Sequence, residues 1–361
     1  MEFKAAIFHD YFDEIGGAEI IFLNMARALN AKIFTTNISR ESIAKLGFSD
    51  VLPRMYSIGK VPNTKHLKQL VTQLRFSFLK ISEFDIYIFG GSYSIHASKN
   101  HKSNLWYCIS LLRGLYGIKN FRKSNFGIFI NLFKNLQIFF DRRAVRKIKR
   151  IVSISDAVRK RIKDYYYVDC DVVYPPIETE NFWYAPGKNY WLIVTRVDPY
   201  KQLEILLNAF AKMPNERLVV VGGCSYELKG YFSAMRKNSP NNVSFIGAVY
   251  DYEKIREFYS NCKGFIATSK NEDFGMNVVE AMASGKPVIA GNEGGYKETI
   301  INGKTGILID NINEDKIVEA VKLIGKNPSK YKKECQKQAR KFDTNIFIKK
   351  IEKEIEKTLT K

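Results

Sequence analysis

Three observations predict an α/β fold built from two doubly wound, mostly parallel sheets. The chain has 361 residues, and single hydrophobic cores stop growing at roughly 250 to 300. Strand-length apolar runs alternate with helix-period segments along nearly its whole length. A Pro175-Pro176 pair divides that alternation into two halves, and proline at such a point stiffens the chain into a hinge.

KAAIFHDYF reads as the first strand, and GGAEIIFLNMARALNA as a glycine turn and helix with apolar positions at Ile20, Leu23, Met25, Ala26 and Leu29. AKIFTT, FDIYIFGG, NLWYCIS and RIVSIS supply further strands, and the first domain, residues 1–174, ends after DVVY. The second domain, residues 175–342, takes WLIVTRV, ERLVVVGG, VSFIGAV, KGFIATS and KPVIAG as strands, with KQLEILLNAF and YEKIREFYSNC among the intervening helices. Residues 343–361 read as a terminal helix whose apolar positions, Ile346, Ile348, Ile351, Ile355 and Leu359, need a surface to pack on.

Composition narrows the function. Hydrophobic residues make up 45% and charged residues 26%, a globular balance without low-complexity tracts. The net charge of +20 favours anionic partners without choosing among nucleic acid, membrane and phosphorylated ligands. Cys108, Cys170, Cys224, Cys262 and Cys335 are scattered and form no C-x-x-C pair, which argues against a disulfide framework or zinc site and for a reducing cytoplasm. The start, MEFKAAIFHDYF, reads as a strand and not as a secretory signal. No apolar run reaches the roughly 18 residues of a spanning helix, so membrane contact is expected to be peripheral.

The most informative stretch is NEDFGMNVVEAMASGKPVIAGNEGG, Asn271 to Gly295. Asn271 to Gly275 reads as a loop, Met276 to Ser284 as a helix, Gly285 as its C-cap and KPVIAG as the next strand. Glu272 then precedes the helix and Glu280 lies about one turn inside it. The free amides and positive dipole end of the helix invite a phosphate, and carboxylates on either side can accept hydroxyl hydrogen bonds. A sugar nucleotide offers that sequence of groups. An isolated pair of glutamates would more often be a capping acid and a solvated helix residue.

The context weighs against that ordinary reading, because EDFGMNVVEAMASGKPVIA with its trailing EGG resembles the signature of the retaining glycosyltransferases of family 4, with the E-x7-E motif at Glu272 and Glu280. The resemblance implies the GT-B fold, two Rossmann-like domains facing each other across a cleft, with closure about the Pro175 hinge and the terminal helix returning to the first domain. TRVDPYKQLEILLNAF resembles the family's diphosphate-gripping segment, which implicates Arg196 and Lys201. HDYFDEIGGAE resembles its glycine loop, where Gly16 and Gly17 would let backbone approach donor phosphate or acceptor. GGSYSIHASKN resembles a further family segment, in which His96 reads equally as a core histidine.

What the resemblance implies is transfer of a hexose from a nucleoside diphosphate sugar to an acceptor hydroxyl with configuration kept. Glu272 would hold sugar hydroxyls and Glu280 the ribose, while Arg196, Lys201 and the backbone around Phe274, Gly275, Met276, Asn277 and Val278 stabilise the leaving diphosphate without a metal. GDP-mannose is the donor the motifs look most like, and UDP sugars differ little in signature. Where relatives read Y-C-H-T-P-x-R this chain has Tyr107, Cys108, Ile109, Ser110, Leu111, Leu112, Arg113, so a histidine expected near the sugar is replaced by Ile109 while Arg113 is kept among the donor-binding residues. Asp169-Cys170-Asp171 spells D-x-D, but its place before the hinge reads as a solvated strand start and no metal site is expected.

Lys119 to Arg150 holds ten Lys or Arg against one acid, Asp141, with Phe121, Phe126, Phe129, Phe133, Phe139 and Phe140 interleaved. This reads either as an interfacial membrane helix or as an amphipathic helix packing its phenylalanines inside the first domain. Six Lys or Arg and no acid between Pro53 and Lys80 favour the membrane. A lipid-linked glycan acceptor at the cytoplasmic face follows from the charge and the family's habit. Nothing resembles an RNP stretch, zinc finger or recognition helix, so specific nucleic-acid binding is not expected. DEIGGAE lacks the G-x-G-x-x-G of a nicotinamide enzyme. The rival left is a non-catalytic subunit that binds nucleotide sugar or lipid.

Overall fold

The computed structural model describes residues 3–13, 15–62, 64–116 and 128–360. The chain divides into two units, Met1–Pro175 with Phe347–Lys361, and Pro176–Ile346.

The first unit is a parallel seven-stranded sheet in the order β3-β2-β1-β4-β5-β6-β7. Its strands are β1 (Ala5–Phe8), β2 (Lys32–Thr35), β3 (Met55–Ser57), β4 (Ile86–Phe89), β5 (Asn104–Cys108), β6 (Arg150–Ser153) and β7 (Asp171–Val172). The central strands AAIF, IYIF and NLWYC are buried at every position, as a sheet covered on both faces requires. The helices are α1 (Gly17–Ala28), α2 (Arg40–Lys45), α3 (Lys65–Phe78), α4 (Ile128–Val145) and α5 (Asp156–Tyr166). Phe8 centres the core on one side, its ring 5.7 to 6.0 Å from those of Phe34, Phe76 and Phe89.

The second unit is a parallel six-stranded sheet in the order β10-β9-β8-β11-β12-β13. Its strands are β8 (Trp191–Val194), β9 (Leu218–Val221), β10 (Val243–Gly247), β11 (Phe265–Ala267), β12 (Val288–Gly291) and β13 (Gly306–Ile309). Around them lie α6 (Leu203–Ala211), α7 (Lys229–Lys237), α8 (Tyr252–Asn261), α9 (Met276–Ala283), α10 (Tyr296–Thr299), α11 (Glu314–Gly325) and α12 (Lys332–Ala339). Both sheets are doubly wound, and each reverses its winding once, between β1 and β4 and between β8 and β11. Ligands of such sheets bind at the carboxyl ends of the strands where the order reverses.

The last helix, α13 (Thr344–Leu359), passes into the first unit at Phe347. Its buried stripe is Phe347, Ile351, Glu354, Ile355 and Thr358, which corrects the apolar face read from sequence. Ile346 is 38% exposed, because five residues of helix turn it about 140° from Ile351. The Phe347 ring lies 5.7 Å from Tyr107, and Arg150 donates to Glu354 Oε2 at 2.8 Å.

Both aspartates of the D-x-D sequence are held by cations. Arg159 clamps Asp169 with two hydrogen bonds of 2.7 and 2.9 Å, and that guanidinium holds the carboxyl down at about 2. Asp171 accepts from Arg150 at 2.9 Å. Among the described residues no helix is long and apolar enough to cross a membrane.

Of the basic Lys119 to Arg150 window, residues 119–127 lie outside the described residues, and so do the side chains of Phe129 and Phe133. Phe139, at 57% exposure, and Phe140 face solvent from α4. Within the unit these two phenylalanines are therefore not core residues.

Candidate active site

In the second unit the site forms where β8 and β11 part company. After β8 the chain reads Thr195-Arg196-Val197-Asp198 and turns at Pro199–Lys201. Asp198 caps that turn by accepting from the Tyr200 amide at 3.2 Å, and Pro199 supplies a pre-set φ at its first position. The loop after β11 ties down the same turn: the Thr268 hydroxyl donates to the Lys201 carbonyl at 2.6 Å, and the Lys270 amide to the Tyr200 carbonyl at 3.1 Å. Two segments distant in sequence are thus stitched side by side.

The stitching delivers an ion pair. Lys201 Nζ lies 2.7 Å from Glu272 Oε2, with side chains only 12% and 17% exposed. Burial pulls the lysine's pKa down, and Glu272, with Tyr200, more than offsets it, so the net shift is upward even with Arg196 opposing. The ammonium stays charged through the neutral range. Arg196 reaches the Tyr200 hydroxyl at 3.4 Å, and the Tyr296 hydroxyl stands 3.5 Å from Glu272.

Glu272 is positioned by glycines. A side chain on Gly294, at φ 55°, would put its Cβ 2.3 Å from the Glu272 carbonyl oxygen. A Cβ on Gly295 would lie 2.4 Å from the Phe274 Cα, and the Gly295 amide donates to the Glu272 carbonyl at 2.9 Å. The Gly-Gly pair after β12 is therefore a bed for the glutamate loop. Gly275, at φ 89°, then turns the chain into α9.

That helix begins with neither a side-chain cap nor an acid in its first turn, so its positive end lacks the usual internal anion. Asn277 instead donates from its side chain to the Val194 carbonyl at 2.9 Å, fixing α9 to the end of β8. Phe274 and Val278 are buried beneath. Arg196, Lys201, Glu272 and the start of α9 are thus collected at one end of one sheet.

Glu280 belongs to the same helix but is held differently. Its two oxygens accept from the Tyr252 and Tyr259 hydroxyls at 2.8 and 2.7 Å. Burial raises its pKa, against the lowering effect of the two tyrosines and Arg256. The two tyrosines sit seven residues apart on α8, one face of the helix. They were not singled out from sequence, and their spacing was the available signal.

In the first unit the glycine loop leads into α1. Gly16 is the N-cap of α1 with φ −135°, extended backbone that any residue adopts, and its amide donates to Glu19 at 2.7 Å. The other Glu19 oxygen lies 3.4 Å from His9 Nε2. Gly17 opens α1. Gly91 packs closely within the unit, where a Cβ would lie 2.1 Å from the Asp10 carboxyl. Asp10 is buried and accepts from the Tyr93 and Ser94 amides at 3.1 and 2.7 Å, with burial raising its pKa against His9 and those amides. Arg113 follows β5 and lies 3.4 Å from the Ser110 hydroxyl; Ile109 beside it is half-buried. His96 is also half-buried, its pKa driven down to about 4 by burial and then by Lys99.

Residues 178–342 match the family model described as glycosyl transferases group 1. An uncharacterised glycosyltransferase of Methanocaldococcus jannaschii is 25% identical over 206 residues, 54% of this chain and 58% of its own. Trehalose synthase of Pyrococcus horikoshii is 30% identical over 184 residues, 47% of this chain and 43% of its own. The chain thus spans about half the length of these curated relatives. Among solved structures, Anabaena HepE with UDP and glucose superposes with a TM-score of 0.76 at 16% identity, covering 97% of this chain and 99% of that one. Sucrose-phosphate synthase of Thermosynechococcus elongatus gives 0.77 at 16% identity, with 99% of each chain covered. Residues 178–342 thus match the group 1 glycosyltransferases, and the chain carries the GT-B fold of two Rossmann-like domains.

Proposed function

We propose that the protein is a retaining, metal-independent glycosyltransferase that moves a hexose from a nucleoside diphosphate sugar to a hydroxyl of a lipid-linked glycan, working at the cytoplasmic face of an anionic membrane. The observation that carries this reading is the Lys201–Glu272 pair at 2.7 Å, set at the sheet's switch point beside the uncapped start of α9.

Departure of the diphosphate develops negative charge on its oxygens and positive charge at the anomeric carbon. Lys201 has three donors, so it can keep Glu272 and still take a phosphate oxygen. With Arg196 and the amides of Met276, Asn277 and Val278 it would stabilise the leaving group in the place a divalent cation otherwise fills. Glu272, oriented by Lys201 and the glycine bed, would hold sugar hydroxyls. Glu280 would meet the ribose, with Tyr252 and Tyr259 fixing its carboxyl; Phe274 and Gly275 shape the turn between them. Gly16, Gly17 and Arg113 would serve from the first unit. GDP-mannose is the donor favoured by the motifs, and UDP sugars are the alternative because the HepE structures hold UDP and glucose.

Release of nucleoside diphosphate from a panel of GDP-, UDP- and dTDP-sugars, with membrane lipid extract as acceptor source, tests the reading. Consumption of one donor only in the presence of extract supports it. If every donor stays intact while one still raises the melting temperature, the protein is a binding subunit and the catalytic reading fails.

A further inference from the structure

The first unit carries a groove with no part in the chemistry above. It is a cavity of about 360 Å³ between α3 and α4, floored by the turn that holds His96 and Ser98. Leu70, Leu74 and Ser77 face it from α3, and Leu136, Phe140 and Ala144 from α4, each set at the three- and four-residue spacing of one helix face. Burial keeps His96 neutral near pH 7, so the floor is uncharged.

The rim has one sign of charge. Lys99, Arg143 and Lys147 line the groove, and no carboxylate does among the described residues. The same three make no ion pair among the described residues, and Lys99 stands 5.2 Å over the ring of Phe78, which is 76% exposed. Leu67, three residues before Leu70 on α3, and Phe139, next to Phe140 on α4, are also exposed. A charged rim around an apolar trough matches an amphiphile with an anionic head. The volume falls in the small-ligand range of roughly 300 to 1,000 Å³, too little for a helix about 10 Å across.

We infer that the α3–α4 groove seats one hydrocarbon chain of an anionic membrane lipid, whose phosphate meets Lys99, Arg143 and Lys147. This deepens the membrane part of the proposed function and rests on it. The groove orients the first unit on the bilayer by inserting into it, where surface charge alone would leave the protein loosely adsorbed.

The test uses the full chain with two kinds of vesicle, phosphatidylcholine alone and phosphatidylcholine with phosphatidylglycerol, the latter carrying a photoreactive acyl chain. Labelled peptides should map to α3 and α4, binding should need the anionic lipid, and Leu74→Glu or Phe140→Glu should weaken it about tenfold or more. Both positions are exposed, and an unchanged melting temperature checks the fold of each variant. Labelling elsewhere, equal capture by neutral vesicles or undiminished binding by both variants would overturn the inference, as would a doubled solution mass that Leu74→Glu halves. Donor turnover is read separately. Vesicle binding without turnover removes the transferase reading and keeps the groove; turnover without anionic binding does the reverse.

Discussion

Lys201 and Glu272 are 71 residues apart in sequence and 2.7 Å apart in space, brought together by hydrogen bonds between the loops that follow β8 and β11. Both are mostly buried, and Glu272 is the largest electrostatic offset to the burial of Lys201. Lys201→Ala should lower the rate of donor consumption by about 10² to 10³, the usual consequence of removing one preorganised leaving-group donor. Steady-state kinetics with the preferred donor reads this directly. Glu272→Gln should raise the donor KM more than Lys201→Ala does, since the proposed function gives the glutamate the sugar hydroxyls to hold.

The glycine bed makes a separate claim about stability. Gly294→Ala meets both a left-handed backbone and the Glu272 carbonyl 2.3 Å away. It should cost more than the roughly 1 to 2 kcal/mol that a left-handed conformation alone imposes on alanine. Gly303, at φ 77° with nothing within 4 Å of its would-be Cβ, isolates the backbone term. Denaturant titration of the two variants should place Gly294→Ala clearly below Gly303→Ala; equal losses would show that the glutamate loop simply moves aside.

Glu280 gives a pH dependence. Burial raises its folded pKa above the ordinary 4.5, so its favourable contribution is complete below that value and is lost as pH rises through the folded pKa. Tyr259→Phe removes a hydroxyl that favours the charged carboxylate, and so raises the folded pKa further. The variant should lose about 1.5 to 3 kcal/mol near neutral pH and much less near pH 4, where the carboxyl is protonated in both proteins. Urea unfolding at the two pH values checks the difference, and a pH-independent loss would mean Tyr259 acts through packing alone.

Arg150 and Glu354 tie α13 to β6 at 2.8 Å, with the glutamate only 6% exposed. Arg150→Ala leaves that carboxylate with Lys357 alone, 2.6 Å from Oε1, and should cost about 1.5 to 3 kcal/mol, whereas Arg150→Met with Glu354→Leu should cost less, because the pair's desolvation penalty disappears with it. Limited proteolysis of the C-terminal helix provides a second readout. Equal stability of the two variants would refute the pairing.

The β-strands at the sheet centres and the helix Met276–Ala283 were legible in the sequence, because apolar runs and the Gly275 break mark them. β3 and β13 were not. The first is three residues with two exposed, and the second follows a turn whose glycine and lysine hide a short run. Resemblance to family motifs placed Lys201 and Glu272 in the candidate site, but nothing local said they would pair, since the pairing depends on strand order. The tyrosines holding Glu280 come from a neighbouring helix for the same reason. The tail's stripe shifted because Glu354, a charged residue, takes an inward position that its ion pairs with Arg150 and Lys357 permit.

Transfer of labelled hexose from the preferred donor into a lipid-extractable product, measured with EDTA present for the native protein and for Lys201→Ala, tests the central claim most directly. Lys201 and Arg196 replacing a metal at the leaving group predicts full transfer by the native protein in EDTA and a loss of about 10²-fold or more in the variant. Transfer abolished by EDTA, or undiminished in Lys201→Ala, would contradict it.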